Sequence, residues 1–396
     1  MDASPSIERQ KLVVHLVHRL DTGGAETGLV NLIRHMPPGR YRHAIVCLKD
    51  HSGQGALFRH RDVEVITLAK REGKDFAHYL RLFRTLRALH PDVIHTRNQC
   101  GIEAQLVAAL AGVKLRVHGE HARDADGPPV ARLRYRLLRR LLRPLVGHFI
   151  AASPELAQWL VDSVGAAPAR VSRIANGVDS IQFHPRLGPK AAIGPPGFMH
   201  DHTFVIGAAG PMDERANHPL LVEAFLRMLS NDAALAQRLR LVIPGDGPAR
   251  ATCLDMLRRA GAGHLAWLPG WRPDHAQLLR SMDVFVEPSE REGRCAPILE
   301  AMASGLPVVA STASINAELV GTGFTGILVP SMSAQMLAFA IGDYCRLPEL
   351  AQRQGARARA QVIAHHSLPA MAQGYLAVYD ALTAQQDGAP AALGRT

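Results

Sequence analysis

The sequence is poor in the features that several classes of protein require. Aromatic residues make up only 5% of the 396 residues and no nucleic-acid reader motif is present, so the net charge of +10 favours other anionic partners, namely a phosphorylated ligand or a membrane surface. The five cysteines are odd in number and lack CxxC spacing, which favours free thiols in a reducing compartment. No apolar run approaches the ~20 residues that span a bilayer, and no basic-then-apolar leader opens the chain. We therefore expect a cytoplasmic protein without a nucleic-acid partner.

What the chain does contain is a regular alternation of apolar strands and amphipathic helices. Six strand candidates run from "LVVHLV" to "HFIAAS", and six more run from "FVIGAAG" to "GILVP". A Pro/Gly-rich interval over 183–202 separates the two series. This pattern predicts an α/β protein with two doubly wound, Rossmann-like domains facing a cleft, over 1–185 and 186–368. Residues 369–396 are expected to form a terminal helix and a disordered tail.

Two carboxylates flank a predicted helix start in "EPSEREGRCAPILEAMASGLPVVAS", residues 287–311. Pro297 suits a first helical turn, so the amides of residues 294–299 are expected to converge on a phosphate. Glu292 precedes this anion site and Glu300 lies one turn into the helix. Carboxylates accept hydrogen bonds from hydroxyl groups, so the two acids fit hydroxyls on either side of a diphosphate. The block therefore predicts a sugar-nucleotide ligand.

Two weaker signals follow predicted strands in the N-terminal half. Gly23 and Gly24 allow a tight turn before a helix, although the GxGxxG dinucleotide fingerprint is absent and a plain βα turn is the commoner reading. His118 and His121 lie beside Glu120 after the fifth strand. A lone histidine at a strand end is usually structural, but two beside a carboxylate favour a role in the cleft.

A basic amphipathic helix is predicted over residues 131–145. Six arginines occur between Arg132 and Arg143 without an acid, and leucines fill one half of the helical circumference. The simpler interpretation is a surface helix whose leucine face packs into its own domain. The arginine face would then be free to meet anionic lipid headgroups, so an anionic membrane surface is a candidate partner.

Taken in order along the chain, these motifs resemble those of a retaining glycosyltransferase of the GT-B fold, in the group 1 or GT4 family. The resemblance rests on "GGAE", "ANGVD", "VIPGDGP", "LLRSMDVFVEPS" and the Glu292-x7-Glu300 block with "ILEAMASGLPVVAS". The segments "HTRNQCGIEAQL", "VHGEH" and "LRRLLRPLV" further resemble sugar transferases of PEP-CTERM-type exopolysaccharide clusters. The resemblance implies an acceptor-side N-terminal domain and a C-terminal domain that binds a nucleoside-diphosphate sugar. No metal-ligand cluster appears in the sequence, so neither a metal nor a cofactor is expected.

The resemblance also implies roles for particular residues. Glu292 would bind donor-sugar hydroxyls, Glu300 the ribose, and the segment Trp271–Arg272 would lie near the base. The catalytic candidates are Glu292, His121 and His118. The donor-binding candidates are Gly23, Gly24, Arg215, Trp271, Arg272, Arg294, Cys295, Ala296, Pro297 and Glu300.

One departure from the family pattern concerns the leaving group. The family usually carries an arginine and a lysine after the first strand of the C-terminal domain, and these positions are Pro211 and Ala216 here. Losing both removes charge-assisted contacts to the diphosphate. Arg215, Arg291 and Arg294 are nearby cations that can replace them.

These expectations converge on transfer of a sugar from a nucleoside diphosphate to a glycan or lipid-linked acceptor, with retention of configuration. A catalytically weakened nucleotide-sugar-binding scaffold is the alternative that Pro211 and Ala216 favour. A sugar-nucleotide epimerase of the same fold is less favoured by the basic helix and the motif order.

Overall fold

The computed structural model describes residues 9–20, 24–49, 63–73, 75–121, 129–191, 193–289, 295–312, 314–330 and 333–388. The chain divides into two compact units. Unit 1 comprises Met1–Asn176 with Leu368–Thr396, and unit 2 comprises Gly177–Ser367.

Unit 1 is built on a seven-stranded parallel sheet with the strand order β3-β2-β1-β4-β5-β6-β7. Its strands are β1 (Lys11–Val17), β2 (Tyr41–Cys47), β3 (Glu64–Thr67), β4 (Val93–Arg97), β5 (Leu115–Glu120), β6 (His148–Ala151) and β7 (Val171–Arg173). Its helices are α1 (Gly24–His35), α2 (Ala77–Leu89), α3 (Gln99–Ile102), α4 (Ala104–Leu110), α5 (Pro129–Leu142), α6 (Pro154–Trp159) and, from the far end of the chain, α15 (Leu368–Gln386). The central strands are almost wholly buried because helices cover both faces of the sheet.

The C-terminal helix α15 completes the core of unit 1. Tyr375 and Tyr379 pack against the apolar face formed by β1, β4 and β5. The Tyr379 hydroxyl is 2.7 Å from Nδ1 of His95 on β4, and Asp380 accepts a hydrogen bond from the Tyr41 hydroxyl at 2.7 Å. The last helix of the chain is therefore part of the first unit rather than an appendage of the second.

Unit 2 contains a six-stranded parallel sheet with the order β10-β9-β8-β11-β12-β13. Its strands are β8 (Phe204–Gly207), β9 (Leu239–Pro244), β10 (Ala266–Gly270), β11 (Val284–Glu287), β12 (Val308–Ser311) and β13 (Gly326–Val329). Its helices are α7 (His218–Asn231), α8 (Ala233–Arg238), α9 (Ala249–Arg259), α10 (His275–Ser281), α11 (Cys295–Ala303), α12 (Ser314–Leu319), α13 (Ala334–Arg346) and α14 (Pro348–His365). The strand order reverses between β8 and β11, and open α/β sheets bind ligands at such reversals, beyond the carboxyl ends of the strands.

The Pro/Gly-rich interval between the two sheets packs into unit 2. Phe183, Phe198 and Met199 are buried in its core, and Nη1 of Arg359 donates to the Phe183 carbonyl at 3.0 Å. The division between the units falls between Asn176 and Gly177, ahead of the boundary expected at 185/186.

None of the helices among the described residues combines the length and the apolar composition of a membrane span.

Candidate active site

The carboxyl ends of three neighbouring strands in unit 2 are joined by backbone contacts. The Met212 amide donates to the Asp246 carbonyl at 2.8 Å, and the Gly245 amide donates to the Gly270 carbonyl at 2.9 Å. Gly245 and Gly247 have φ of 151° and 147°, and a Cβ at Gly245 would lie 1.9 Å from the Gly210 carbonyl oxygen. Only glycine permits so close an approach, so the "VIPGDGP" motif fixes the loops that follow β8, β9 and β10.

Glu300 lies on α11 beside a histidine that the sequence analysis did not single out. Nε2 of His275, the first residue of α10, is 3.0 Å from Oε2 of Glu300, and each side chain is about one quarter exposed. The other carboxylate oxygen of Glu300 makes no hydrogen bond within the described residues. The contact fixes the carboxylate while leaving it an oxygen that can accept from a ligand.

The segment before α10 presents an exposed indole ring beside a fixed guanidinium. Trp271 is 65% exposed. Arg272 makes two hydrogen bonds to Asp274, at 2.9 and 2.7 Å, and its guanidinium lies 5.6 Å from the ring of Trp267. Trp271 and Arg272 therefore lie in the segment just before His275, whose ring contacts Glu300 at 3.0 Å.

The two positions that depart from the family pattern differ in their exposure. Pro211 is exposed, whereas Ala216 is 1% exposed, with its amide donating to Oδ1 of Asp213 at 3.0 Å. Arg215 is exposed in the same turn, and its amide also donates to Oδ1 of Asp213 at 3.0 Å. Asp213 thus shapes the turn that presents Arg215 to solvent.

The loop that carries Glu292 is anchored at its start. The Ser311 hydroxyl donates to the Ser289 carbonyl at 2.7 Å, and the amide of the Asn316 side chain donates to the Ser311 hydroxyl at 2.9 Å. All three residues are buried. Glu292 itself, with Arg291 and Arg294, lies outside the described residues.

The first turn of α11 contains the remaining predicted anion-binding residues, Cys295, Ala296 and Pro297. In unit 1, Gly24 begins α1 and Gly23 lies outside the described residues.

His118 occupies a different position from the one expected of a catalytic residue. It has no exposed surface, and its Nδ1 and Nε2 atoms lie 2.8 Å from the Thr96 hydroxyl and 3.0 Å from Oε1 of Glu120. Glu120 also accepts from Nε of Arg139 at 2.5 Å and from Nη2 at 3.2 Å. Both ring nitrogens of His118 are therefore used within the protein, so His118 does not face a substrate in this structure.

His121 is half-buried at the end of β5, and its amide donates to the side-chain oxygen of Asn98 at 2.9 Å. Burial and the neighbouring charge of Arg97 lower the pKa of its imidazole to about 3, against the opposing effects of Glu120 and Asn176. The ring is neutral at pH 7. His121 can therefore donate or accept a hydrogen bond without carrying charge.

The basic helix α5 has a different inner face from the one the sequence analysis predicted. Arg139 is 1% exposed and holds Glu120, because a buried carboxylate requires a counter-charge. Leu133, Leu137 and Leu141 are instead 47%, 52% and 74% exposed. The prediction that the leucines pack inward while the arginine face points outward was wrong for these four residues.

Comparison with known proteins supports the family that the sequence motifs indicate. Residues 199–361 match the family described as "Glycosyl transferases group 1", and residues 22–181 match "Glycosyltransferase Family 4". A lipopolysaccharide core biosynthesis mannosyltransferase of Rhizobium leguminosarum bv. viciae is 30% identical, over 62% of this chain and 74% of its own. A UDP-Gal:alpha-D-GlcNAc-diphosphoundecaprenol alpha-1,3-galactosyltransferase of Escherichia coli is 28% identical, over 65% of this chain and 67% of its own.

Among solved structures, Anabaena Alr3699/HepE in complex with UDP is similar to this chain with a TM-score of 0.76 and 20% identity. The match covers 94% of this chain and 99% of the Anabaena chain. The expected GT-B fold is confirmed by this likeness together with the two parallel sheets.

Proposed function

Since the chain belongs to the group 1 glycosyltransferases, we propose that it moves a sugar from a nucleoside-diphosphate donor to a glycan or lipid-linked acceptor with retention of configuration. The observation that carries this proposal is the Glu300 carboxylate, fixed by His275 at 3.0 Å beside the first turns of α11. A carboxylate held in this way accepts from a ribose hydroxyl at little entropic cost.

The donor is held by unit 2 in this proposal. Trp271 stacks on the base with its exposed ring, Glu300 binds the ribose, and the first turn of α11 approaches the diphosphate, to which the amides of Cys295 and Ala296 donate. Glu292 binds hydroxyls of the transferred sugar. Similarity to a structure that contains UDP supports a nucleotide ligand, and the diphosphoundecaprenol acceptor of the Escherichia coli relative supports a lipid-linked acceptor.

Negative charge builds on the diphosphate as the glycosidic bond breaks. Amides at a helix start stabilise such charge because they are already oriented toward it. With Pro211 and Ala216 in place of the usual cations, the additional positive charge comes from Arg215 or Arg294. Arg215 is exposed on the turn that Asp213 shapes.

In this proposal, unit 1 binds the acceptor and contacts a membrane surface. The exposed leucines of α5 are flanked by exposed Arg134, Arg136 and Arg140, an arrangement that suits insertion among anionic headgroups. A peripheral position at the inner face of the plasma membrane would bring a lipid-linked acceptor within reach. This location fits a role in the synthesis of exopolysaccharide or another cell-surface glycan.

Nucleotide binding tests the assignment of the two acids. In calorimetric titrations with UDP, GDP and ADP, the Glu300→Gln variant should lose about tenfold in affinity or more, because a charge-assisted hydrogen bond to the ribose is weakened. Glu292→Gln should bind the bare nucleotide as the unaltered protein does but transfer sugar poorly. Glu349→Gln, at an exposed carboxylate on α14, is the matched control. An equal loss of nucleotide affinity in the Glu292 and Glu300 variants would overturn the two roles.

A nucleotide-sugar-binding scaffold is the second candidate, favoured by Pro211 and by the burial of Ala216. Neither side chain can donate to a phosphate. Such a protein would bind nucleotides, and would bind them more weakly as Glu300→Gln, but it would transfer no sugar.

A further inference from the structure

A buried arginine at the end of β4 has hydrogen-bonding capacity that the protein does not use. Arg97 is 7% exposed, and its Nε and Nη2 atoms have no hydrogen-bond partner among the described residues. Its guanidinium lies 5.7 Å from the ring of Tyr375 on α15. The aromatic face stabilises the charge in part, but it supplies no acceptor oxygen.

Two histidines place further unused nitrogens beside the same strand end. Nε2 of His95, which has no exposed surface, and Nε2 of His121 both lack partners within the described residues. A Cβ at Gly119 would lie 3.0 Å from Nε2 of His95, 3.5 Å from Nε2 of His121 and 3.9 Å from Cγ of Arg97. These three side chains therefore converge on Gly119, and the absence of a side chain there allows their close approach.

The charge beside Gly119 is positive, and no described residue compensates it. Burial and the charge of Arg97 lower the pKa values of both His95 and His121, so the two rings are neutral hydrogen-bonding groups at pH 7. The adjacent carboxylate of Glu120 is already paired with Arg139 and His118. No described acid forms an ion pair with Arg97. A buried guanidinium without an anion is costly, and most buried polar groups in proteins have partners.

We propose that Arg97, His95 and His121 form an oxyanion-binding site around Gly119, which takes a phosphate or carboxylate group of the acceptor. A guanidinium binds two oxygens of either group, and the neutral imidazoles add one hydrogen bond each. The assignment to the acceptor rests on the proposed function, in which unit 2 holds the donor. The presence of the anion site itself does not depend on transfer.

Thermal unfolding with simple anions tests the site directly. Inorganic phosphate or acetate, compared with chloride at equal ionic strength, should raise the melting temperature of the full chain by about 3–6 °C at ten times the dissociation constant. Arg97→Gln should abolish the rise because the charge is removed. Gly119→Ala should abolish it with every charge retained, because the added methyl group would lie 3.0 Å from Nε2 of His95 and block the approach of the anion. Arg87→Gln, at an exposed arginine on α2, should show the full rise.

Several outcomes would overturn the proposal. No rise in the unaltered protein with either anion would do so, as would a full rise in Gly119→Ala, whose folding is checked by circular dichroism. Phosphate and acetate together report which of the two groups the site prefers.

Titration with UDP and measurement of transfer separate this inference from the proposed function. Arg97→Gln should bind UDP normally and raise the acceptor KM about tenfold or more while leaving the donor KM unchanged. Loss of UDP binding in Arg97→Gln would instead assign the anion to the donor and end the acceptor assignment. If the unaltered protein transfers no sugar but shows the anion-dependent rise, the proposed function fails, and the anion site stands without its acceptor assignment.

Discussion

Single polar residues of unit 1 acquire their roles from burial and from their partners. Burial alone would raise the pKa of Glu120, but the hydrogen bonds and charges of His118 and Arg139 lower it to about 2. The same partners keep the carboxylate away from solvent. Glu120 therefore anchors α5 to the sheet, whereas the similar carboxylate of Glu300 remains open to a ligand.

Acid should destabilise the protein through buried histidines, and His148 offers a clear test. Burial, followed by the charge of Arg170, lowers the pKa of His148 to about 4, below an unfolded value near 6.5. The unfolded chain takes up the proton first, so this contribution to stability is complete above pH 6.5 and is lost as the pH falls toward 4.

Replacing His148 with Gln should therefore reduce the loss of unfolding free energy between pH 7 and pH 4 by about 3 kcal/mol. The measurement is denaturant unfolding at the two pH values. His264→Gln, at an exposed histidine, should leave the loss unchanged. The lowered pKa values of His121 and Glu120 also reduce stability at low pH, and they do so equally in every variant. Parallel pH dependences of the unfolding free energy for His148→Gln and the unaltered protein would therefore refute the lowered pKa of His148.

The residues of the candidate donor site differ in how far the sequence reveals them. The spacing of Glu292 and Glu300 and the position of Pro297 predict a phosphate and hydroxyl site without a structure. His275 leaves no such signal, because its contact with Glu300 joins residues 25 positions apart. Arg97 is similarly hidden, since a sequence does not show whether an arginine is buried or paired.

At the scale of elements, helical periodicity identifies which residues share a face but not which face is inward. The bounds predicted for α5 are close to those observed, yet Arg139 points inward, where Glu120 requires a cation. The opposite side of α5 therefore exposes Leu133, Leu137 and Leu141, which are spaced four residues apart. The buried carboxylate of Glu120, on β5, thus determines which face of α5 points inward.

The exposed face of α5 should bind anionic vesicles. Replacing Leu137 and Leu141 with Ser should reduce cosedimentation with vesicles of an anionic phospholipid several-fold, because apolar burial in the interface is lost. Stability should change little, since both side chains are already exposed. Raising the salt concentration should weaken binding of the unaltered protein, because the arginines are screened within about 8–10 Å.

Leu110→Ser is the matched control for this prediction, as Leu110 is 70% exposed on α4. Unchanged cosedimentation of the folded double variant would mean that α5 is an ordinary surface helix.

Most other elements could be predicted from the alternation of apolar and amphipathic segments. The helix expected after Gly23 and Gly24 is observed as α1, for example. The three-residue strand β7 was missed because Val171–Arg173 carries no apolar run, and its residues are only partly buried or exposed. The Pro/Gly-rich interval is visible in the sequence as a break between the two strand series, but the burial of its aromatic residues follows only from tertiary contacts.

At the scale of the whole molecule, the two strand series were enough to predict two doubly wound sheets. The return of α15 to unit 1 was not predictable, because it depends on contacts such as that between Tyr379 and His95, which are 284 positions apart. Fold and family therefore follow largely from local pattern and motif. The final assembly of unit 1 follows from long-range packing.

The central claim is that the protein transfers sugar, and the release of nucleoside diphosphate tests it most directly. The purified full chain is incubated with a panel of nucleotide sugars and with lipid-linked and glycan acceptors, and nucleoside diphosphate is measured over time. We predict acceptor-dependent release with at least one donor, strongly reduced in Glu292→Gln and Glu300→Gln. Tight binding of a nucleotide sugar without release of nucleoside diphosphate, for every donor and acceptor tried, would contradict the claim. It would instead favour a nucleotide-sugar-binding scaffold.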